Sequence, residues 1–187
     1  MNLQGVPHRV FLDTCVVNFI LDHSGPIHDG EDLPAGVDTL DVQDIDALRN
    51  VFLTGQRAGW QLAVSPFTYS EIAATADPVR LSNLHMWFQE LWQYWRSVVA
   101  SDDNMPTFIE ADELRVRMLI SEYLRVLPDV NDRVLICDAL VYRCDLFCNR
   151  DRKTILKHRA ELTALPFGIV TPSEWWQRLQ PVAGPLA

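Results

Sequence analysis

Four acidic residues stand at positions where carboxylates from separate elements can cooperate in chemistry. Asp13 ends one short apolar run, Glu71 follows a second, and Asp151 ends a third. Asp132 stands where a helix is predicted to begin. The carboxyl ends of parallel strands share one edge of a sheet, so we expect these side chains to lie together there. Carboxylate oxygens are the preferred ligands of Mg²⁺ and Mn²⁺, and a divalent cation relieves repulsion among clustered acids. The pattern therefore predicts a metal site able to activate water against a phosphodiester.

Each of the four acids also has a purely structural explanation. Asp13 and Asp151 can cap the helices that follow them, and Asp132 is favoured at the positive end of a helix. Glu71 lies inside a predicted helix, where Glu is a good helix former. Because Ser, Thr or Asn would serve equally well as caps, four acids at one edge are better explained by a cation.

The elements that must position these acids alternate between short strands and helices. Strands are predicted where apolar, β-branched or aromatic runs are bounded by polar or turn residues, at residues 10–12, 62–64, 146–148 and 168–170. Helical patterns fill the intervals, which indicates βαβ units with right-handed crossovers. The predicted fold class is therefore α/β, with a central, mostly parallel sheet flanked by helices.

Two segments depart from this alternation. Residues 23–41 are rich in acids, Gly and Pro, which predicts a long acidic loop. Residues 79–127 predict a helical insertion, an aromatic αα-hairpin in which each helix has an apolar stripe. The two stripes contain Leu84, Trp87, Phe88, Leu91, Trp92 and Trp95, then Val116, Leu119, Ile120, Tyr123, Leu124 and Leu127. Core packing is the favoured explanation of the tryptophans, and a dimer or partner contact is the alternative.

Length and composition predict a single domain over residues 1–187. The chain is 48% hydrophobic and 22% charged, which is ordinary for a soluble globular protein. No apolar run approaches the roughly 18 residues of a membrane span, and Met1–Gly5 lacks the pattern of a signal peptide. We therefore expect a cytoplasmic protein without membrane association. The four cysteines form no C-x-x-C pair, so we expect reduced thiols.

The net charge of −9 is unusual for a nucleic-acid binder, but it is unevenly distributed. Eight acids and no Lys or Arg lie between Asp22 and Asp46, so the rest of the chain is close to neutral. Basic residues instead surround Asp151; they are Arg150, Arg152, Lys153, Lys157 and Arg159. These five are candidates to bind phosphates beside a metal site, and a solvated helix face is the alternative explanation.

Three blocks of sequence carry a resemblance to a known family. Residues 10–15, Val-Phe-Leu-Asp-Thr-Cys, form a strand ending in an acid, and residues 64–72 form a strand, a short polar link and a helix containing Glu71. Residues 131–152 supply a helix, a strand and a final acid, and a last strand follows near residues 169–170. In order and spacing these blocks resemble the PIN domain, a compact α/β fold of metal-dependent nucleases that includes the toxins of many bacterial toxin–antitoxin pairs.

The resemblance implies a PIN-like endoribonuclease that uses Mg²⁺ or Mn²⁺ to hydrolyse RNA. It implies that the catalytic and metal-binding residues are Asp13, Glu71, Asp132 and Asp151. Thr14 and Asn149 are expected to support these ligands, and Asn149 stands where the family often has Thr or Ser. A toxin-type role, with an antitoxin-like protein inhibitor as partner, follows from the same resemblance, and a homodimer stays open. The alternative function is a PIN-like domain without catalysis that binds RNA or a protein.

Two other classes of phosphate chemistry fit the acids less well. A phosphatase with an aspartate nucleophile needs a second Asp two residues after the first, and that position is Cys15. A receiver-like phospho-acceptor domain needs two acids together near its start, and residues 1–12 contain none. The metal-dependent nuclease therefore stays the leading hypothesis.

The third acid of the site is either Asp132 or Asp138. A helix beginning at Asp132 is long enough to run back beneath the sheet before the next strand, whereas a helix beginning at Asp138 is too short. The two residues differ by about 120° around such a helix, so both cannot face one ion. The spacing favours Asp132 as the ligand and predicts that Asp138 is a structural residue paired with an Arg.

Overall fold

The four predicted strands all form, and they make one parallel sheet. The computed structural model describes residues 6–183, with the side chains of residues 56–58 outside the description. The strands are β1 (Arg9–Leu12), β2 (Gln61–Ala63), β3 (Leu146–Cys148) and β4 (Gly168–Val170). Their order is β2-β1-β3-β4, and every pairing is parallel. The α/β class and the flanked parallel sheet are confirmed, whereas the prediction made on Met1–Gly5 lies outside the described residues.

The centre of the sheet brings two chain segments that are distant in sequence to one edge. Leu12 of β1 is the register partner of Cys148 of β3. The next backbone N–H, that of Asp13, donates to the carbonyl of Cys148 over 3.1 Å. Every residue of β3 is buried, as expected for a strand covered on both faces. Asp13 and Asn149 therefore leave the sheet side by side.

Helices fill the intervals between strands. They are α1 (Thr14–Asp22), α2 (Thr39–Ala58), α3 (Pro66–Ile72), α4 (Pro78–Ser101), α5 (Phe108–Leu119), α6 (Val130–Val141), α7 (Ile155–His158) and α8 (Pro172–Leu179). The Ser65 hydroxyl caps α3 by accepting from the Phe67 N–H over 3.0 Å. Thr171 and Glu174 form a reciprocal capping box at the start of α8. Within residues 6–183, no helix is both long and apolar enough to cross a membrane.

The inserted helices form and meet where the rings of Trp92 and Phe108 lie 5.2 Å apart, but they do not pack along their lengths as the predicted αα-hairpin would. Helix α4 packs against α1, α3 and β2, whereas α5 packs mainly against α6. The side chains of Leu84, Phe88 and Trp95 are buried in the core. Core packing is therefore confirmed as the explanation of these positions in the aromatic stripe.

The second predicted helix ends earlier than its apolar pattern suggested. Helix α5 ends at Leu119, and a 3₁₀ turn follows at Glu122–Leu124. Ile120 is 77% exposed, whereas Leu124 and Leu127 are buried. In one continuous helix these three residues would share a face, because they are spaced i, i+4 and i+7. The break lets the two leucines turn into the core.

The acidic segment contains more regular structure than the predicted loop over residues 23–41. A π-helical turn covers Gly25–Asp29, and α2 begins at Thr39 with Asp38 as its cap. Asp44 of α2 is buried, and its carboxylate accepts from the Ser173 hydroxyl over 2.6 Å. Part of the acidic segment therefore stabilises the contact between α2 and α8.

Candidate metal centre

Asp13 lies at the carboxyl edge of the sheet, and helix capping does not explain it. It occupies the position before α1, but within the described residues its side chain makes no capping hydrogen bond. One carboxylate oxygen, Oδ2, accepts from Asn149 Nδ2 over 2.5 Å and from Cys15 Sγ over 2.9 Å. The carboxylate is thus held toward β3 and not toward its own helix.

Asn149 links the first and last acids of the predicted site. Its side chain is fully buried. While Nδ2 donates to Asp13, Oδ1 accepts from the backbone N–H of Asp151 over 2.5 Å. This amide therefore connects Asp13 to the loop that carries Asp151, whereas its support of a bound metal stays a prediction.

Glu71 is held against the start of α1. The Thr14 hydroxyl donates to a carboxylate oxygen of Glu71 and lies 3.2 Å from the Thr68 hydroxyl. Thr14 and Thr68 are both buried. Thr68 and Glu71 are three residues apart on α3, so both side chains face Thr14. Thr14 therefore connects Glu71 to the strand end that carries Asp13.

Asp132 carries the most unusual atom of the site. Asp129, not Asp132, caps α6, by accepting from the Asn131 N–H over 2.8 Å. Asp132 lies in the first turn, and its Oδ2 is buried with no hydrogen-bond partner among the residues that the structure describes. A buried carboxylate oxygen without a donor costs free energy unless a donor or cation reaches it.

The acids are close enough to influence one another's ionisation. Burial, together with the charges of Glu71 and Asp132, raises the pKa of Asp13 from 3.8 to about 7, against a hydrogen bond from Cys15 that lowers it. Burial also raises the pKa of Asp132, and the charges of Asp129, Asp151 and Glu71 act in the same direction, against a hydrogen bond with the Thr154 side chain that lowers it. The structure therefore brings the four acids into one electrostatic cluster, with Asp132 linking its members.

Asp151 differs from the other acids because it is satisfied by its own loop. Burial acts to raise its pKa, but donation from the Thr154 side chain and from the backbone of Lys153 and Thr154 outweighs this, so the pKa is lowered. The Thr154 hydroxyl lies 2.8 Å from Asp151 Oδ2. Asp151 is therefore a stable anion at neutral pH, as a cation ligand must be.

The donor set suits a hard divalent cation, although the side chains do not converge on one. Within residues 6–183, no group of three or more His, Cys, Asp or Glu side chains is arranged to hold a metal ion as it stands. The carboxylates are turned instead toward Asn149, Thr14 and Thr154. The side chains would have to rotate to bring their carboxylate oxygens together around a cation. Cation binding is favoured by the Oδ2 of Asp132, which has no partner among the described residues, and by the repulsion between the neighbouring acids.

Two of the five predicted RNA-binding residues are engaged by other carboxylates. Arg150 pairs with Asp41 and, over 2.9 Å, with Asp44, and its guanidinium lies 3.4 Å from the Phe19 ring centroid. Arg159 pairs with Glu174 over 2.6 Å. Arg150 is therefore held by two ion pairs, whereas phosphate binding by these residues stays a prediction. Arg152, Lys153, Lys157 and Arg159 are exposed.

Asp138 contacts α5 and the start of α3. It is fully buried, and its two oxygens accept from Arg115 Nε and from the Ser65 hydroxyl. Arg115 is also buried and donates to Asp112 over 2.7 Å. The expected pairing of Asp138 with an arginine is confirmed, whereas metal binding by Asp132 stays a prediction. Sequence reasoning did not single out Arg115, whose signal was a cation within the apolar stripe of α5.

Comparisons with known proteins assign no family to this chain. No protein-family model matches it, no curated protein matches it, and no solved structure matches it. The resemblance to the PIN domain therefore rests on the three sequence blocks.

The raised pKa of Asp13 predicts how stability depends on pH. Between about pH 4 and 7 the folded state holds a proton that the unfolded state has released, so stability falls as pH rises through this window. At 1.36 kcal/mol per pH unit, the expected loss is about 4 kcal/mol. Urea unfolding at pH 5 and pH 8 in EDTA measures about 3 kcal/mol of this loss, the part that falls between pH 5 and the folded pKa, and Asp13→Asn should flatten the dependence. The same slope in both proteins would show that Asp13 is not the group responsible.

Proposed function

We propose that this protein is a metal-dependent endoribonuclease that hydrolyses RNA phosphodiester bonds. Its cation, Mg²⁺ or Mn²⁺, would be held by Asp13, Glu71, Asp132 and Asp151. The observation that carries this proposal is the Asp132 carboxylate, whose buried Oδ2 has no hydrogen-bond partner among the residues that the structure describes and which lies among three other acids at the carboxyl edge of a parallel sheet.

The residues around the acids have separable roles. Asn149 and Thr14 orient Asp13 and Glu71 by hydrogen bonds to their carboxylates. Lys153 and Arg152 are exposed beside Asp151 and can hold the phosphates of the substrate. A bound divalent cation supplies neutralisation of phosphate charge and a lowered pKa for attacking water.

The resemblance to the PIN domain supports the finer parts of the proposal. RNA as substrate, a toxin-type role and an antitoxin-like inhibitor all derive from that resemblance, and a cytoplasmic location is proposed with them. The four-stranded parallel sheet and the positions of the acids are compatible with it.

An interaction module without catalysis is the second candidate function. The tryptophan stripe does not favour it, because Trp95 is buried. Helix α5 does favour it, since Ile109, Val116 and Ile120 share one face and are 76%, 65% and 77% exposed. Such a face suits contact with a protein or with a second copy of the chain.

Metal dependence distinguishes the two candidates. Fluorescent single-stranded RNA incubated with the purified protein should be cleaved in Mg²⁺ or Mn²⁺ and should stay intact in EDTA. In parallel, Mn²⁺ should raise the melting temperature at pH 8, because it binds the folded state and neutralises buried carboxylates. Asp132→Asn should respond much less to Mn²⁺.

Two results would contradict the ribonuclease proposal. One is cleavage that persists unchanged in EDTA, which would indicate a contaminating or metal-independent activity. The other is an equal thermal response to Mn²⁺ in wild type and Asp132→Asn, together with no cleavage in any metal.

A further inference from the structure

An aromatic side chain is exposed beside the candidate metal centre. Phe67 lies on α3 four residues before Glu71 and is 40% exposed. It lines a shallow pocket of about 340 Å³, termed here the Phe67 pocket, together with Pro66, Ser70, Asp112 and Arg115. That volume is at the small end of ligand pockets, which span roughly 300–1,000 Å³.

The Phe67 ring is held in a fixed position. The Arg115 guanidinium lies 4.9 Å from the ring centroid. Arg115 is itself fixed, because it donates to buried Asp138 and to Asp112. The start of α3 is fixed by the Ser65 cap. An exposed ring backed by an immobilised guanidinium loses little freedom on stacking, so it is preorganised for a planar ligand.

The charges of the pocket favour an uncharged ring over a phosphate. Among the described residues that line it, Arg115 alone is cationic, and two carboxylates already pair with it. The Asp112 side chain is 66% exposed, so an entering phosphate would meet a negative charge. A nucleobase is neutral and carries N–H donors that a carboxylate can accept.

Glu71 connects the pocket to the metal centre. At about 100° per residue, Glu71 lies about 40° from Phe67 and about 60° from Thr68 around the axis of α3. Thr68 faces Thr14 at the candidate metal centre, whereas Phe67 faces the pocket. Along the axis Glu71 is about 6 Å from Phe67, a separation that one nucleotide can span.

We propose that the Phe67 pocket binds a nucleobase of single-stranded RNA adjacent to the phosphate at the metal centre. The inference rests on the proposed ribonuclease function for the position of that phosphate. Bases within a duplex are stacked on both faces, so only an unpaired or flipped base can reach the ring. The substrate class is therefore single-stranded RNA, with the Phe67 ring as the stacking partner.

Binding and cleavage are measured separately to test this pocket. Anisotropy of a labelled single-stranded RNA in Mg²⁺ is measured in an Asp13→Asn background, where cleavage is expected to be lost. Adding Phe67→Ala should weaken binding roughly 5- to 150-fold, the range for loss of one base–aromatic stack. Phe67→Tyr, which keeps the ring, should bind within about twofold of the background, and so should Tyr69→Ala.

Tyr69 is the matched control because it lies on the same helix with a similar exposure of 43% but stacks on His85 outside the pocket. Circular dichroism and thermal melts verify that every variant is folded. If Phe67→Ala and the background bind the RNA with equal affinity, the pocket does not bind a base. A protein side chain would then be the better candidate ligand for the pocket. If wild type and Phe67→Ala cleave RNA equally well, the pocket fails while the ribonuclease function stands. Phe67-dependent binding without cleavage by wild type supports the pocket and removes the ribonuclease function.

Discussion

Replacing Asp13 with asparagine is expected to reduce Mn²⁺-dependent RNA cleavage by about 1,000-fold. The amide keeps the shape of the side chain but removes a charge from the cation site, and a loss of about 4 kcal/mol corresponds to this factor at 1.36 kcal/mol per tenfold. Asp13 is buried and its pKa is raised to about 7, so the same change should leave the metal-free protein at pH 8 as stable or more stable. Lost activity in a stabilised protein is characteristic of a site residue.

Initial rates in Mn²⁺, with urea unfolding on the same preparations, provide the measurement. Asp46→Asn is a matched control, because Asp46 is a half-exposed acid on α2 whose ion pair with Arg49 is long, at 3.8 Å. It should cleave at the wild-type rate. If Asp13→Asn cleaves as fast as wild type, the four acids are not the catalytic site.

Asp132 and Asp138 should respond in opposite ways to the same substitution. Asp138→Asn leaves the Arg115 cation buried without its charged partner, which should cost about 3–5 kcal/mol of stability. Its activity per folded molecule should stay near that of wild type. Asp132→Asn should instead lose most activity and little stability, since it removes a charge that burial and the neighbouring acids Asp129, Asp151 and Glu71 already disfavour.

Asp112→Asn provides the control for the stability change. It removes the other partner of Arg115, but that carboxylate is largely exposed, so the cost should be below about 1 kcal/mol. Urea unfolding and single-turnover cleavage of the three variants separate the two roles. A folded but inactive Asp138→Asn, beside an active Asp132→Asn, would show that the wrong acid of α6 has been assigned.

Local patterns were sufficient to predict the sheet and the places of the acids. Each strand is a short apolar run between polar residues, and parallel connections bring the strand ends to one edge. Helix starts were equally predictable where the cap and the first turn carry the signal, as at Ser65 and Thr171. These features depend on neighbours within a few positions of the chain.

The end of α5 was not predictable in the same way. The apolar spacing continues through Leu127 without Gly or Pro to interrupt it. The break after Leu119 arises because Leu124 and Leu127 must reach a core on a different side from exposed Ile120. That requirement comes from the packing of other elements, and periodicity within one segment does not contain it.

The sequence by itself determined an α/β fold class and the acids that reach the carboxyl edge of its sheet, because the positions of the strands along the chain and the side-chain types follow from local pattern. Only the tertiary structure decided which charged side chains form ion pairs. Arg150 is held by Asp41 and Asp44, and Asp138 is held by Arg115. The partners in each pair are far apart in the chain, so they meet only when several helices pack together. Burial makes an unpaired charge costly at these positions.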